Sequence, residues 1–114
     1  MPRKPDGSFS PAVRMAIHER DWFCLWCGTS FADHEGQAHH RRPRHMGGTS
    51  NPEIGLATNG IRLHERCHAS VEKHRDESMR RGFIVRSSWS PASVLVEDWM
   101  GRKWRLWEND RIME

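Results

Sequence analysis

Two short pairs, Cys24-x-x-Cys27 and His64-x-x-Cys67, limit what this chain can fold into more than any other feature. They share the same internal spacing and lie 36 residues apart. A two-residue gap lets both side chains of a knuckle aim at one ion. Two knuckles then fill the tetrahedral shell that Zn²⁺ prefers, here with three thiolates and one imidazole. The same residues also admit a redox C-x-x-C or buried thiols with no ligand. Redox use sits at a helix start in a thioredoxin-like βαβ setting, which this sequence lacks. A zinc brace would tie a first helix to a second and hold everything between them as a unit.

Composition makes such a staple useful. The chain has 114 residues, enough for one domain. Leu, Ile, Val and Phe together number only 19, about 17% of the chain and under the roughly 20% level where disorder becomes a concern if net charge is high. Six Trp and six Met add bulk, and a metal is a common supplement in small domains. No run of about 18 apolar residues occurs, so no membrane span is expected. The N-terminus is basic but has no apolar h-region, which argues against a signal peptide. Three cysteines cannot close a disulfide framework. A cytoplasmic setting is therefore expected. Net charge is +3, compatible with a polyanionic partner without demanding one.

Along the chain, residues 1–9 read as a flexible basic tail. Ser10-Pro11 is an N-cap with proline at the first helical position, opening a helix over 11–20. Composition from 32 to 62 shifts to His, Arg, Gly, Asn and Pro. A pair of short strands is expected around 37–46, turning at Gly47-Gly48, followed by an irregular loop. A single helix is expected from about 65 to 81, stopping at Gly82. After it, 83–85, 93–96 and 102–107 have β character, the last two forming a hairpin through Met100-Gly101. Trp89, Trp99, Trp104 and Trp107 read as filler for a core short of Leu and Ile, with partner anchoring as the alternative. The expected organisation is a tail (1–9), a main domain (10–86) and a C-terminal β extension (87–114) packed on it.

Eight histidines are the loudest compositional signal. His39 and His40 are adjacent, so on a strand they point to opposite faces. If His39 grips a metal, His40 stays available to take a proton, and its ordinary pKa suits a base at neutral pH. His68 follows Cys67 directly, and Glu72 lies one helical turn later on the same face. One short helix could then serve two metal sites, since consecutive helical residues diverge by about 100°. His18, His34, His45 and His74 read as ordinary surface or core histidines.

Taken in order, Cys24-x-x-Cys27-Gly28, Ala38-His39-His40-Arg41, Gly47-Gly48 and Asn59-Gly60-Ile61-Arg62-Leu63-His64-x-x-Cys67-His68 resemble the HNH, or ββα-metal, nuclease family over about half the chain. The stretch Gly82-Phe83-Ile84-Val85-Arg86 is also similar to small stand-alone HNH proteins of phages and prophages of actinobacteria. The resemblance implies an α+β fold with a ββα-metal (His-Me finger) core, a zinc brace, a preceding helix and a C-terminal hairpin. It implies that His39 and His68 hold the catalytic ion, with Glu72 as a further ligand in some relatives. His40 would be the base that activates water. Asn59 would be the orienting asparagine, preferred over Asn51 by its spacing to His64. One departure stands out: the second knuckle is His64-x-x-Cys67 where the family usually has C-x-x-C.

The implied activity is metal-dependent hydrolysis of DNA phosphodiesters. Zinc would be structural and Mg²⁺ or Mn²⁺ catalytic, with Ni²⁺ or Zn²⁺ as alternatives. Arg41, Arg42 and Arg44 lie beside the site and could clamp flanking phosphates. DNA is the expected partner, with a phage DNA-packaging terminase as a second one in the phage setting and the host cytoplasm as location. Monomer and dimer stay open. The rival reading is a zinc-stabilised nucleic-acid-binding module that does not cut.

Overall fold

A computed structural model describes residues 7–44 and 51–114. Ser10 caps the first helix, α1 (Pro11–Arg20), its hydroxyl accepting from Val13 N–H at 3.1 Å. Val13, Ile17 and Arg20 are the buried face of α1, an i, i+4, i+7 stripe in which an arginine takes the third place. Arg20 is compatible with burial because its guanidinium is fully used. It donates to the carbonyls of Ala57, Gly60 and Trp107 and forms a two-pronged pair with Asp21.

After the Cys24–Cys27 knuckle the chain enters β1 (Gln37–His40), which pairs antiparallel with β2 (Gly60–Leu63). The register sets His39 opposite Ile61 and His40 opposite Gly60. This corrects the expectation of a strand pair within 37–46: the partner of β1 comes from beyond the loop, and Gly47-Gly48 lie outside the described residues. Every residue of β2 is buried, as befits a strand covered on both faces. On one side α1 comes so close that a Cβ at Gly60 would lie 2.2 Å from Ile17 Cδ1. On the other lies α2 (Glu65–Lys73), which buries Cys67 and Val71.

The expected single helix over 65–81 is two, α2 and α3 (Arg75–Arg80), broken at His74. No Gly or Pro marks the break. Ser78 compensates for it, its hydroxyl donating to the Val71 carbonyl at 2.8 Å. Gly82 then ends α3 at φ +82°, as its place in the sequence predicted. Phe83, Ile84 and Val85 do not form a strand. They bend through the core, all three buried, bonded to Ser78 and Arg41 rather than to a ladder.

The C-terminal part is a three-stranded antiparallel sheet of β3 (Val96–Glu97), β4 (Lys103–Leu106) and β5 (Arg111–Met113). The expected hairpin is present as β3–β4, but its first strand is only Val96–Glu97 in place of the expected 93–96, Pro91–Ser93 forming a 3-10 turn, and β5 is an addition. Val96 and Leu106 join the same core cluster as Leu25, Ile61, Leu63 and Phe83. The described chain is thus an α+β domain with three helices and two small antiparallel sheets among the described residues. Residues 7–9 are not a tail: Gly7 and Phe9 are buried, and Phe9 packs with Val13, Ile17 and Ala57 in a second cluster. Of the tryptophans proposed as filler, Trp104 is partly buried against the core, whereas Trp89, Trp99 and Trp107 are 58%, 40% and 49% exposed. No helix among the described residues is long and apolar enough to cross a membrane.

Candidate metal centres and active site

Cys24, Cys27, His64 and Cys67 converge, their ligand atoms all within 4.8 Å of one another. Tetrahedral thiolates around zinc sit about 3.8 Å apart, so the cluster is compatible with a structural zinc site. Its first knuckle closes through Gly28 N–H to the Cys24 carbonyl at 2.7 Å. Gly28 takes φ +82°, and a Cβ there would strike the Trp99 ring, 2.5 Å away. The second knuckle is the turn into α2, with His64 at its N-cap. His64 Nδ1 faces Cys27 Sγ at 3.5 Å, while Nε2 faces a Glu35 carboxylate oxygen at 3.5 Å. A carboxylate behind a ligating imidazole fixes which nitrogen meets the ion.

The thiols respond to one another. Burial raises the Cys24 thiol, and burial with the neighbouring Cys24 and Cys27 sulfurs pushes Cys67 up. At Cys27 burial opposes ionisation, but hydrogen bonds from Thr29 and the other two thiols bring it down to about 7. Three thiolates gathered in one pocket repel, and a divalent cation removes that penalty.

The second cluster is His39, His68 and Glu72, also with ligand atoms within 4.8 Å of one another. The two rings meet edge to face at 4.9 Å. His39 Nδ1 and His68 Nε2 lie 3.9 Å and 3.7 Å from the same Glu72 oxygen. Their opposite nitrogens are held from behind. His39 Nε2 donates to the Phe83 carbonyl at 3.0 Å, and His68 Nδ1 donates to Gln37 Oε1 at 2.7 Å. A carbonyl can only accept, so the His39 lone pair is on Nδ1, facing Glu72. Burial lowers the His39 pKa to about 4, with the charges on His68, His40 and Arg41 acting the same way. The ring is therefore neutral at neutral pH, the form that ligates a metal.

His40 points to the opposite face of β1, as alternation requires. Its ring stacks on Phe9 at 3.8 Å, and its Nε2 donates to the Gly7 carbonyl at 2.9 Å. It nonetheless borders the same groove, about 470 Å³, as His39, His68 and Glu72. Asn59 is fully buried. Its side chain accepts from Arg42 N–H and donates to the Arg42 and Ile54 carbonyls, tying the exit of β1 to the loop before β2. Asn51 instead caps a short 3-10 turn through Glu53 N–H.

The three arginines beside the histidines separate. Arg41 is wholly buried and cannot meet a phosphate, which corrects the clamp expected there. Its guanidinium donates to the carbonyls of Gly82, Thr58, Pro91 and Val94. Arg42 turns toward the Trp89 carbonyl, away from the groove. Of the three, Arg41 and Arg44 line the groove, Arg41 without exposed surface, and Arg75 joins from α3, paired with Glu72 at 3.2 Å.

Sequence reasoning missed Arg75 and the residues behind the ligands: Gln37, Glu35 and the Phe83 carbonyl. Gln37 was findable, since it shares a strand face with His39. Nothing local marks Glu35 or Phe83. Size does not locate the site either: a larger groove of about 860 Å³ beside Met15, Trp22 and Phe31 holds none of the clusters. Comparison of the chain with protein-family models, curated proteins and solved structures found no match.

Proposed function

We propose that this protein is a divalent-metal-dependent DNA endonuclease of the HNH, or ββα-metal, type, stabilised by a zinc ion on Cys24, Cys27, His64 and Cys67. The observation that carries the reading is the second cluster. Two imidazoles present lone pairs toward one carboxylate, each tautomer is fixed from behind, and a third imidazole borders the same groove. A satisfied core histidine has no use for that arrangement. The β1–β2–α2 unit that carries it has the strand–strand–helix order of the family.

A phosphodiester resists attack because its anionic oxygens repel a nucleophile. An ion held by His39, His68 and Glu72 would neutralise that charge and leave positions open for substrate. His40 accepts the proton of the attacking water. Asn59 holds the main chain at Arg42, just beyond the base. Arg44 and Arg75 take flanking phosphates, since a guanidinium fork matches phosphate oxygens. With two imidazoles and one half-exposed carboxylate, the donor set suits Mg²⁺ or Mn²⁺ held weakly, and also admits Ni²⁺ or Zn²⁺.

Nicking of supercoiled plasmid with Mg²⁺ or Mn²⁺ tests this. Activity is expected to vanish with EDTA and in His40→Ala, with the fold and zinc content of that variant unchanged. A wild-type rate in His40→Ala would overturn the base. Metal-independent retention of DNA without nicking would favour the rival, a binding module that does not cut.

A further inference from the structure

We propose that the segment before α1, Gly7 to Phe9, is a built-in positioning strap for His40, fixing the ring's plane and its tautomer from outside the β1–β2–α2 unit. The inference rests on the reading of His40 as base and adds what orients it. Two contacts define the strap. The Gly7 carbonyl accepts from His40 Nε2 at 2.9 Å, and the Phe9 ring stacks on the imidazole, its plane 4° from parallel and its centroid 3.8 Å away. A carbonyl partner requires the proton on Nε2, so the ring's lone pair is on Nδ1. A parallel aromatic face removes the remaining rotational freedom of the ring.

The strap is part of the fold. Phe9 is 3% exposed and packs with Val13, Ile17 and Ala57. Arg14 donates to the Phe9 carbonyl at 3.1 Å, and Ser10 caps α1 immediately after it. Gly7 itself is buried with φ +85°, a conformation that L side chains resist and that aims its carbonyl at the ring. His40 pairs with Gly60 across the sheet, and a Cβ at Gly60 would lie 3.0 Å from Phe9 Cζ. A bare backbone at that position is thus what admits the Phe9 ring over the strand. His40 also borders a second groove, about 550 Å³, with Ser8, Phe9 and Arg14 on its rim. The strap therefore lines that groove together with the base.

The test compares Gly7→Ala and Phe9→Leu with Gly101→Ala. Gly101 has nearly the same backbone strain, φ +80°, but nothing within 4 Å of an added Cβ, so it controls for loss of stability alone. Two readouts are taken at one fixed pH: the plasmid nicking rate, and the His40 tautomer by ¹⁵N-detected imidazole NMR, its signal assigned by absence in His40→Gln. In the wild type His40 is expected as the Nε2–H tautomer. Gly7→Ala and Phe9→Leu are expected to mix the tautomers and slow nicking roughly tenfold or more, with Phe9→Trp restoring both and Gly101→Ala within about twofold of wild type.

An Nδ1–H tautomer in the wild type would overturn the proposal. So would nicking by Gly7→Ala and Phe9→Leu at the Gly101→Ala rate, or faster nicking, which would make the segment an inhibitory cover. If the wild type holds the Nε2–H tautomer and loses it in both variants, yet never nicks, the strap stands and the nuclease reading fails.

Discussion

Arg41 sits in the middle of a run of basic residues next to two histidines, where a sequence reader places a phosphate clamp, yet its charge is turned inward. Burial, with the Arg20 charge added, lowers its pKa to about 9, so the guanidinium is still charged at neutral pH. It meets four backbone carbonyls and no carboxylate. Those carbonyls come from three separate stretches: Thr58 and Pro91 sit in short 3-10 turns, Gly82 and Val94 outside any strand or helix, and the Pro91 carbonyl also accepts from Val94 N–H. Arg41 thus does the work of a sheet for the loops around the site. Arg41→Met keeps length and apolar contact but takes the guanidinium donors away from the Thr58, Gly82, Pro91 and Val94 carbonyls. We expect a loss of about 3 kcal/mol or more in urea unfolding, with the salt dependence of DNA binding unchanged in protein that remains folded. A reduced salt slope would instead return Arg41 to the proposed DNA interface.

At the scale of elements, the helix expected over 65–81 breaks at His74, and α3 then ends at Gly82, where the chain turns to Phe83, whose carbonyl orients His39. Gly82 makes that turn possible. It has φ +82°, and an added Cβ would lie 2.1 Å from the Leu95 carbonyl oxygen. Gly101, in the β3–β4 hairpin, has φ +80° and open space. Gly101→Ala therefore carries the backbone term alone, about 1 kcal/mol. Gly82→Ala adds a steric clash with backbone and should cost about 2 kcal/mol more than that. It should also weaken the metal binding proposed at His39, because Phe83 moves. Equal destabilisation of the two variants, measured by urea unfolding, would show that Leu95 yields easily.

On the scale of the whole molecule, the Cys24–Cys67 brace joins the knuckle after α1 to the start of α2, and the second cluster hangs on the same helix one residue on. The aliphatic core is small, and part of it is the sulfur cluster itself, since Cys24 and Cys67 belong to the main apolar cluster. A zinc ion bound there would stabilise the fold by its binding free energy, because the unfolded chain has no such site. A strong chelator should lower the thermal midpoint by roughly 10 °C or more. Cys67→Ser should reproduce that drop without added chelator. Native mass spectrometry should find one tightly held zinc and one exchangeable ion. An unchanged midpoint in chelator would leave the four side chains as a plain buried cluster.

The two side-chain clusters were legible in advance because spacing along a knuckle or a helix turn is local. Two residues inside each pair aim both side chains one way, and His68 and Glu72 share a helical face whatever surrounds them. The α1 cap, the Gly82 stop and the β3–β4 hairpin are local in the same sense. The partner of β1, the break at His74, the inward turn of Arg41 and the packing of Gly7 and Phe9 against His40 were not legible. Each depends on which distant backbone carbonyl or ring happens to lie opposite, and that is settled only when the long-range contacts form.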